Sequence, residues 1–273
     1  MSRILVTGAT RGLGRALVNE LNRRDHEVIA TGRRLADMAD LPASEQLVLD
    51  LINPASIDEA MAAAGKLDVV INNAAMTVSG PVEAVPANLV EQVLATNVLG
   101  PLRVMQAALP TMRERGSGRI LNISSPAGRF APPLEGVYSA SKAALEMLSE
   151  ALRFEAGHFG VQVTIIQPGT IRTDMSDREQ KFELPAYAPL VGQYADRFAR
   201  YRQRRAPSAE QIAGEIADLV DRGSLPLRVP VGLRSERLFA RLSRACWAGS
   251  SGRPTSGSCC WRTSRSPQLP RRR

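Results

Sequence analysis

Cysteine is nearly absent. The 273-residue chain has three, Cys246, Cys259 and Cys260, all close to its end. The rest can therefore build neither a disulfide framework nor a thiolate metal site. Histidine is as scarce: His26 and His158 stand apart with no partner pattern, so no metal cluster is visible. No stretch approaches the ~20 apolar residues of a membrane helix. The start, MSRILVTG, lacks a signal-peptide pattern. A soluble cytoplasmic protein, with no membrane partner, is the expectation. Acidic residues stop at Glu236, and nine arginines follow: Arg237, Arg241, Arg244, Arg253, Arg262, Arg265, Arg271, Arg272 and Arg273. Of 35 basic residues in all, 26 remain outside that segment against 27 acidic ones, so the formal charge of +8 belongs to the tail. The near-neutral body offers no footprint for DNA or RNA.

The tail also holds both tryptophans, Trp247 and Trp261. From about residue 246 its Ser, Gly, Pro and Arg cannot bury enough apolar surface to order themselves. It reads as a disordered extension or the product of a shifted reading frame. An arm gripping nucleic acid fits less well, since it lacks lysine and has two aromatics. The expected organisation is one domain over residues 1–245 and a tail over 246–273.

What is present alternates. Strand-like runs fall at 4–7, 27–31, 46–49, 68–72, 119–124 and 161–167, and several are short, rich in Val and Ile and apolar on both faces. Helical patterns fall at 14–24, 54–64, 88–115, 137–158 and 208–222. Alternation of this length predicts an α/β, Rossmann-like domain around a doubly wound parallel sheet, with its ligand at the carboxyl ends of the strands. Residues 175–206 differ, with Pro185, Pro189, Phe182, Tyr187, Tyr194, Phe198 and Tyr201 among many charges. They read as a lid over those strand ends.

The first strand runs into Gly8, Gly12 and Gly14, and a helix follows at once. Free N–H groups at that helix start, reinforced by its dipole, suit a diphosphate. A tight turn using Gly for positive φ would look the same. Further on stands NISSPAGRFAPPLEGVYSASKAAL. Tyr138 and Lys142 are four apart, so on a helix they share a face. A phenol titrating near 10 is a poor acid–base group at neutral pH, and a neighbouring ammonium moves it toward the working range. Ser125 closes the preceding strand. The pair taken by itself could equally be two solvated helix residues.

Together these segments resemble the short-chain dehydrogenase/reductase family, over roughly residues 1–231. TGATRGLG, with Gly8, Arg11, Gly12, Leu13 and Gly14, looks like its nucleotide turn. Asp50 and Leu51 look like its adenine-contacting pair. Asn72-Asn73-Ala74-Ala75 resembles its Asn-Asn-Ala-Gly segment, with Ala75 where that family has glycine. Asn97, Ser125, Tyr138 and Lys142 match its catalytic set, and Pro168, Gly169, Ile171 and Thr173 match the segment at the nicotinamide end. The resemblance implies that Tyr138 exchanges a proton with the substrate oxygen, Ser125 orients it, Lys142 lowers the tyrosine pKa and binds the nicotinamide ribose, and Asn97 holds a relay water. It also implies a homodimer or homotetramer through two long helices.

A fold that prefers NAD usually places an acid after the second strand, for the ribose 2′-hydroxyl. Here Arg33 and Arg34 follow that strand, and Arg11 lies in the glycine turn. Guanidinium groups suit a 2′-phosphate, so NADP is the expected cofactor. Solvated residues at a helix start are the plainer reading of Arg33 and Arg34. The expected function is NADP(H)-dependent interconversion of a small-molecule carbonyl and its alcohol. The alternatives are NAD-linked alcohol oxidation and a non-catalytic dinucleotide sensor. Phe130, Phe182 and Tyr187, with Ser125 and Tyr138, are the candidate substrate contacts.

Overall fold

The computed structural model describes residues 1–173, 180–192 and 206–232. Part of the expected lid and all of the expected tail lie outside them. Seven strands form one parallel sheet: β1 (Arg3–Val6), β2 (Glu27–Gly32), β3 (Glu45–Val48), β4 (Val69–Asn72), β6 (Gly118–Ile123), β7 (Val161–Pro168) and β9 (Arg228–Val231). Their order is β3-β2-β1-β4-β6-β7-β9, so the winding reverses between β1 and β4. That reversal opens a crevice at the carboxyl edge of the sheet.

Period-two alternation explains why both faces are covered. Ile4, Val6, Val28, Ala30, Val69, Ile71, Leu121 and Ile123 enter one core, against α1 (Gly12–Arg23) and α6 (Ala209–Val220). Their neighbours Leu5, Ile29, Val70 and Ile120 enter the other, against α2 (Pro54–Ala64), α4 (Gly100–Arg115) and the C-terminal end of α5 (Gly136–Gly157). Successive side chains of a strand point to opposite faces, so a doubly covered strand must be apolar throughout.

Local chemistry sets the helix ends. Asn53 Oδ1 accepts from the Ala55 and Ser56 N–H groups at the start of α2, where Pro54 needs no donor. Ser208 and Gln211 open α6 with a reciprocal capping box. Gly116, at φ 65°, ends α4. The start of α1 has no side-chain cap.

Three features depart from the periodicity. The stretch expected as one helix over 88–115 is α3 (Ala87–Leu94), a π-helical turn (Ala95–Leu99) and α4. Strand β9 carries Pro230, which an edge strand tolerates. Finally, β5 (Val78–Ser79) and β8 (Gln180–Lys181) form a separate parallel pair. They hold the described part of the expected lid, residues 180–192, beside the segment after β4.

Candidate active site

The glycine turn is built by close approach. Gly8 has φ +69°, and a Cβ on it would lie 2.8 Å from Ala74 Cβ. A Cβ on Gly14 would collide with the Gly8 carbonyl oxygen and with Asn73 Nδ2. Asn73 braces this approach: its Nδ2 donates to the Thr7 carbonyl at 2.9 Å, and its N–H donates to Thr7 Oγ1 at 3.0 Å. Ala74 N–H donates to the same hydroxyl at 3.1 Å. Asn73 and Ala74 thus shape the turn, and Leu13 is buried beneath it. Arg11, just before α1, is exposed.

Beside the turn, β2 ends at Gly32 and exposes Arg33 and Arg34. Arg34 is paired with Asp37 at 2.9 Å. Arg15 is held by Asp40 at 2.7 Å and donates to the Thr10 carbonyl at 3.1 Å. Arg33 has no ion pair among the described residues. On the far side of this edge, Asp50 is half-buried and accepts from the Ile52 N–H at 3.2 Å. Leu51 is buried, and a Cβ on Gly100 would lie 2.6 Å from it.

The catalytic candidates gather at the ends of β6 and β7. Ser125 starts the turn after β6, where its Oγ accepts from the Ala127 N–H at 3.1 Å. Tyr138 and Lys142 lie on the first turns of α5, with Lys142 Nζ 5.7 Å from the Tyr138 ring centre. Lys142 is 2% exposed and donates to the Ile123 carbonyl at 2.8 Å. Burial holds its ammonium down to about 8, and the charge of Glu146 pulls the other way.

Asn97 sits in the π-helical turn and is completely buried. Its Oδ1 accepts from the Met76 N–H at 2.9 Å, while Nδ2 donates to the Met76 carbonyl at 2.9 Å and to Ser141 Oγ at 3.0 Å. Ser141 Oγ donates in turn to the Tyr138 carbonyl at 2.7 Å. One side chain therefore ties the segment after β4 to the start of α5. A π-turn turns a residue off the regular helical face, and such turns cluster at functional sites.

Pro168 ends β7, and the Gly169 N–H donates to the Val231 carbonyl at 3.2 Å. Ile171 packs on the α1–α6 core, while Thr173 is half-buried. Phe130, half-buried, follows the Ser125 turn. Phe182 packs with Val78, Leu89, Val93 and Val137, and so anchors residues 180–192 against α3 and α5. The Tyr187 phenol donates to Glu83, which pushes its pKa up. Of the substrate candidates, these two side chains tie the chain down.

Sequence reasoning passed over a buried polar group behind Lys142. Glu146, 1% exposed, accepts from Ser124 Oγ at 2.8 Å, Gln167 Nε2 at 2.7 Å and Arg228 Nε at 3.0 Å. The spacing of Lys142 and Glu146 was a signal, since residues four apart share a face. Among the described residues, no cluster of His, Cys, Asp and Glu could hold a metal ion. No described helix is long and apolar enough to cross a membrane.

Proton-transfer groups beside a glycine turn at the carboxyl edge of such a sheet equip a protein for redox chemistry between alcohols and carbonyls. The fold and the candidate site suit that class of oxidoreductase. Comparison narrows it: the family model described as short chain dehydrogenase matches residues 2–184, and the chain belongs to the short-chain dehydrogenase/reductase family. The 3-ketodihydrosphingosine reductase of Bacteroides thetaiotaomicron is 34% identical over 251 residues, covering 87% of this chain and 90% of that protein. A short-chain dehydrogenase from Streptomyces avermitilis superposes with a TM-score of 0.78 at 34% identity, over 90% of this chain and 93% of that one. One from Burkholderia cenocepacia, in complex with NADP, gives a TM-score of 0.72 at 26% identity, over 90% and 94%.

Proposed function

We propose that this protein is an NADP(H)-dependent reductase that interconverts a ketone or aldehyde with its alcohol. The observation that carries the reading is the water-excluded Lys142 ammonium beside the Tyr138 ring, with Ser125 at the end of the adjoining strand. A positive charge so placed favours the phenolate, which makes Tyr138 a proton donor and acceptor near neutral pH. Tyr138 Oη–H gives its proton to the substrate oxygen during reduction and recovers it during oxidation. Ser125 Oγ–H donates to that oxygen and fixes its place. The side chain of Asn97 is committed to Met76 and Ser141, so a relay through this residue falls to its main chain.

The residues fit a dinucleotide. The open start of α1 offers N–H groups to a diphosphate, and the crowding at Gly8 and Gly14 brings backbone close to it. When bound, the nicotinamide supplies or accepts the hydride. Gly12, Leu13 and Gly14 would hold the diphosphate, and Asp50 and Leu51 the adenine. Pro168, Gly169, Ile171 and Thr173 would line the nicotinamide end. Preference for NADP rests on Arg33, exposed and free of ion pairs among the described residues, with Arg11 across the turn. Arg34 already has a carboxylate partner.

A ketone substrate fits the name of the Bacteroides relative, and the half-buried Phe130 favours an apolar one. Exposed Leu99, Met147 and Phe154, on or beside α4 and α5, support a homodimer or homotetramer through those helices. The test is consumption of NADPH and of NADH with a panel of ketones and aldehydes. NADPH-dependent turnover of at least one carbonyl is expected. Tight NADPH binding with no turnover across the panel would favour a dinucleotide sensor instead.

A further inference from the structure

Glu146 has no part in the chemistry just described, yet it is the most enclosed carboxylate near the site. An ionised carboxylate out of water costs several kcal/mol unless its oxygens are satisfied. Here both are. Oε1 accepts from Ser124 and Gln167, and Oε2 accepts from Arg228. Each partner adjoins a functional segment. Ser124 precedes Ser125, Gln167 precedes Pro168, and Arg228 lies on the edge strand β9. The turn after Ser125 rests directly on the carboxylate, since a Cβ on Gly128 would lie 2.8 Å from Glu146 Oε1 and 3.0 Å from Ser124 Oγ. Lys142 lies one helical turn back on the same helix.

We infer that Glu146 is a positioning residue: its buried carboxylate, neutralised by Arg228, locks the Ser125 turn and the end of β7 to α5 and places a negative charge one helical turn from Lys142. The inference rests on reading Lys142 as the working cation of the site. The charged and titratable groups around the pair are Tyr138 and Glu150 on α5 and Arg228 on β9, with Arg228 also bonded to Glu150. From β6 and β7 come uncharged groups: Ser124, the Ile123 carbonyl and Gln167. Glu146 and Arg228 therefore act on Lys142 with opposite sign. Losing the carboxylate makes the ammonium easier to deprotonate; losing the guanidinium makes it harder.

The chain contains only three lysines, Lys66, Lys142 and Lys181, and Lys142 alone of them is buried. Its titration can be read directly by NMR on full-length protein labelled with ¹³C at lysine Cε, with Lys142→Met assigning the signal. Glu146→Gln should move the Lys142 midpoint down by about one pH unit, the low end for loss of a nearby opposite charge, and leave Lys66 and Lys181 in place. Arg228→Gln should move it up. If Glu146→Gln does not fold, the direction in Arg228→Gln decides alone. No movement, or movement in the same direction in both variants, would mean that Glu146 only fills space and would overturn the inference. Because the readout needs no substrate, a protein that shows both shifts but reduces no carbonyl would sink the proposed activity and leave the role of Glu146 standing.

Discussion

Lys142 keeps its charge where water does not reach it, and pH exposes the cost. Its folded midpoint, about 8, lies below the ordinary 10.5, so between those values the unfolded chain holds a proton that the folded one has shed. Stability from this group therefore rises as pH rises from about 8 to 10.5. Measured against Lys142→Met, which lacks the effect, the wild type should gain on the order of 2–3 kcal/mol between pH 7 and pH 10, at about 1.4 kcal/mol per pKa unit. Parallel denaturant curves for the two proteins would reveal it, and a constant difference would contradict it. Tyr138→Phe keeps the ring and removes the acid. A loss of at least ~10²-fold in kcat is expected, the scale of general acid–base catalysis, with NADPH still bound. Near-normal turnover by the purified variant would remove Tyr138 from its role. Arg33→Asp replaces attraction for a 2′-phosphate by repulsion and offers an acceptor to a free 2′-hydroxyl. The ratio of kcat/KM for NADPH over NADH should fall; an unmoved ratio would place the phosphate on Arg11 or Arg34.

Between α3 and α4, the π-helical turn does work that a straight helix could not. It carries Asn97 inward to satisfy both main-chain groups of Met76. Asn97→Ala leaves those groups without their partner, at about 1–3 kcal/mol each. Faster hydrogen exchange at the Met76 amide and a lower unfolding midpoint are expected; unchanged exchange there would show that the turn is held by something else. Interrupted helices of this kind explain what the sequence does and does not disclose. Six of the seven strands of the main sheet could be read, most of them because they are doubly buried apolar runs; β3, with Glu45 and Gln46 and no buried residue, is the exception. Strand β9, short and carrying Pro230, lacks that signature. Tyr138 and Lys142 could be paired because one helical turn separates them, but it took the family resemblance to join them with Ser125 and Asn97 as a set. The partnership of Glu146 with Arg228 could not be read, since it joins positions 82 apart. Phe182 and Tyr187 read as candidate pocket walls because aromatic character does not say which way a ring faces; the structure packs one in a small core and bonds the other to Glu83.

At the scale of the whole molecule, the Ser, Gly, Pro and Arg that dominate residues 249–273 offer little apolar surface to bury against a folded body. Deleting residues 249–273 should accordingly leave turnover within about twofold. It should also weaken retention on heparin, because six arginines leave a body close to neutral. A deletion variant that folds but loses most of its activity would assign the tail to the substrate site or to an assembly. The clasp between Glu146 and Arg228 also bears on the order in which the molecule is made. Strands β1 to β7 precede β9 along the chain, so most of the sheet can collapse on the ribosome while the edge strand is still being synthesised. Until β9 docks, Glu146 lacks its counter-ion and the lysine its final surroundings. Closing a contact across 82 residues carries a loop-closure cost that neighbouring contacts do not. A nascent chain halted before Arg228 would therefore hold a nearly finished sheet around an unfinished candidate site, one that waits on the strand at the rim.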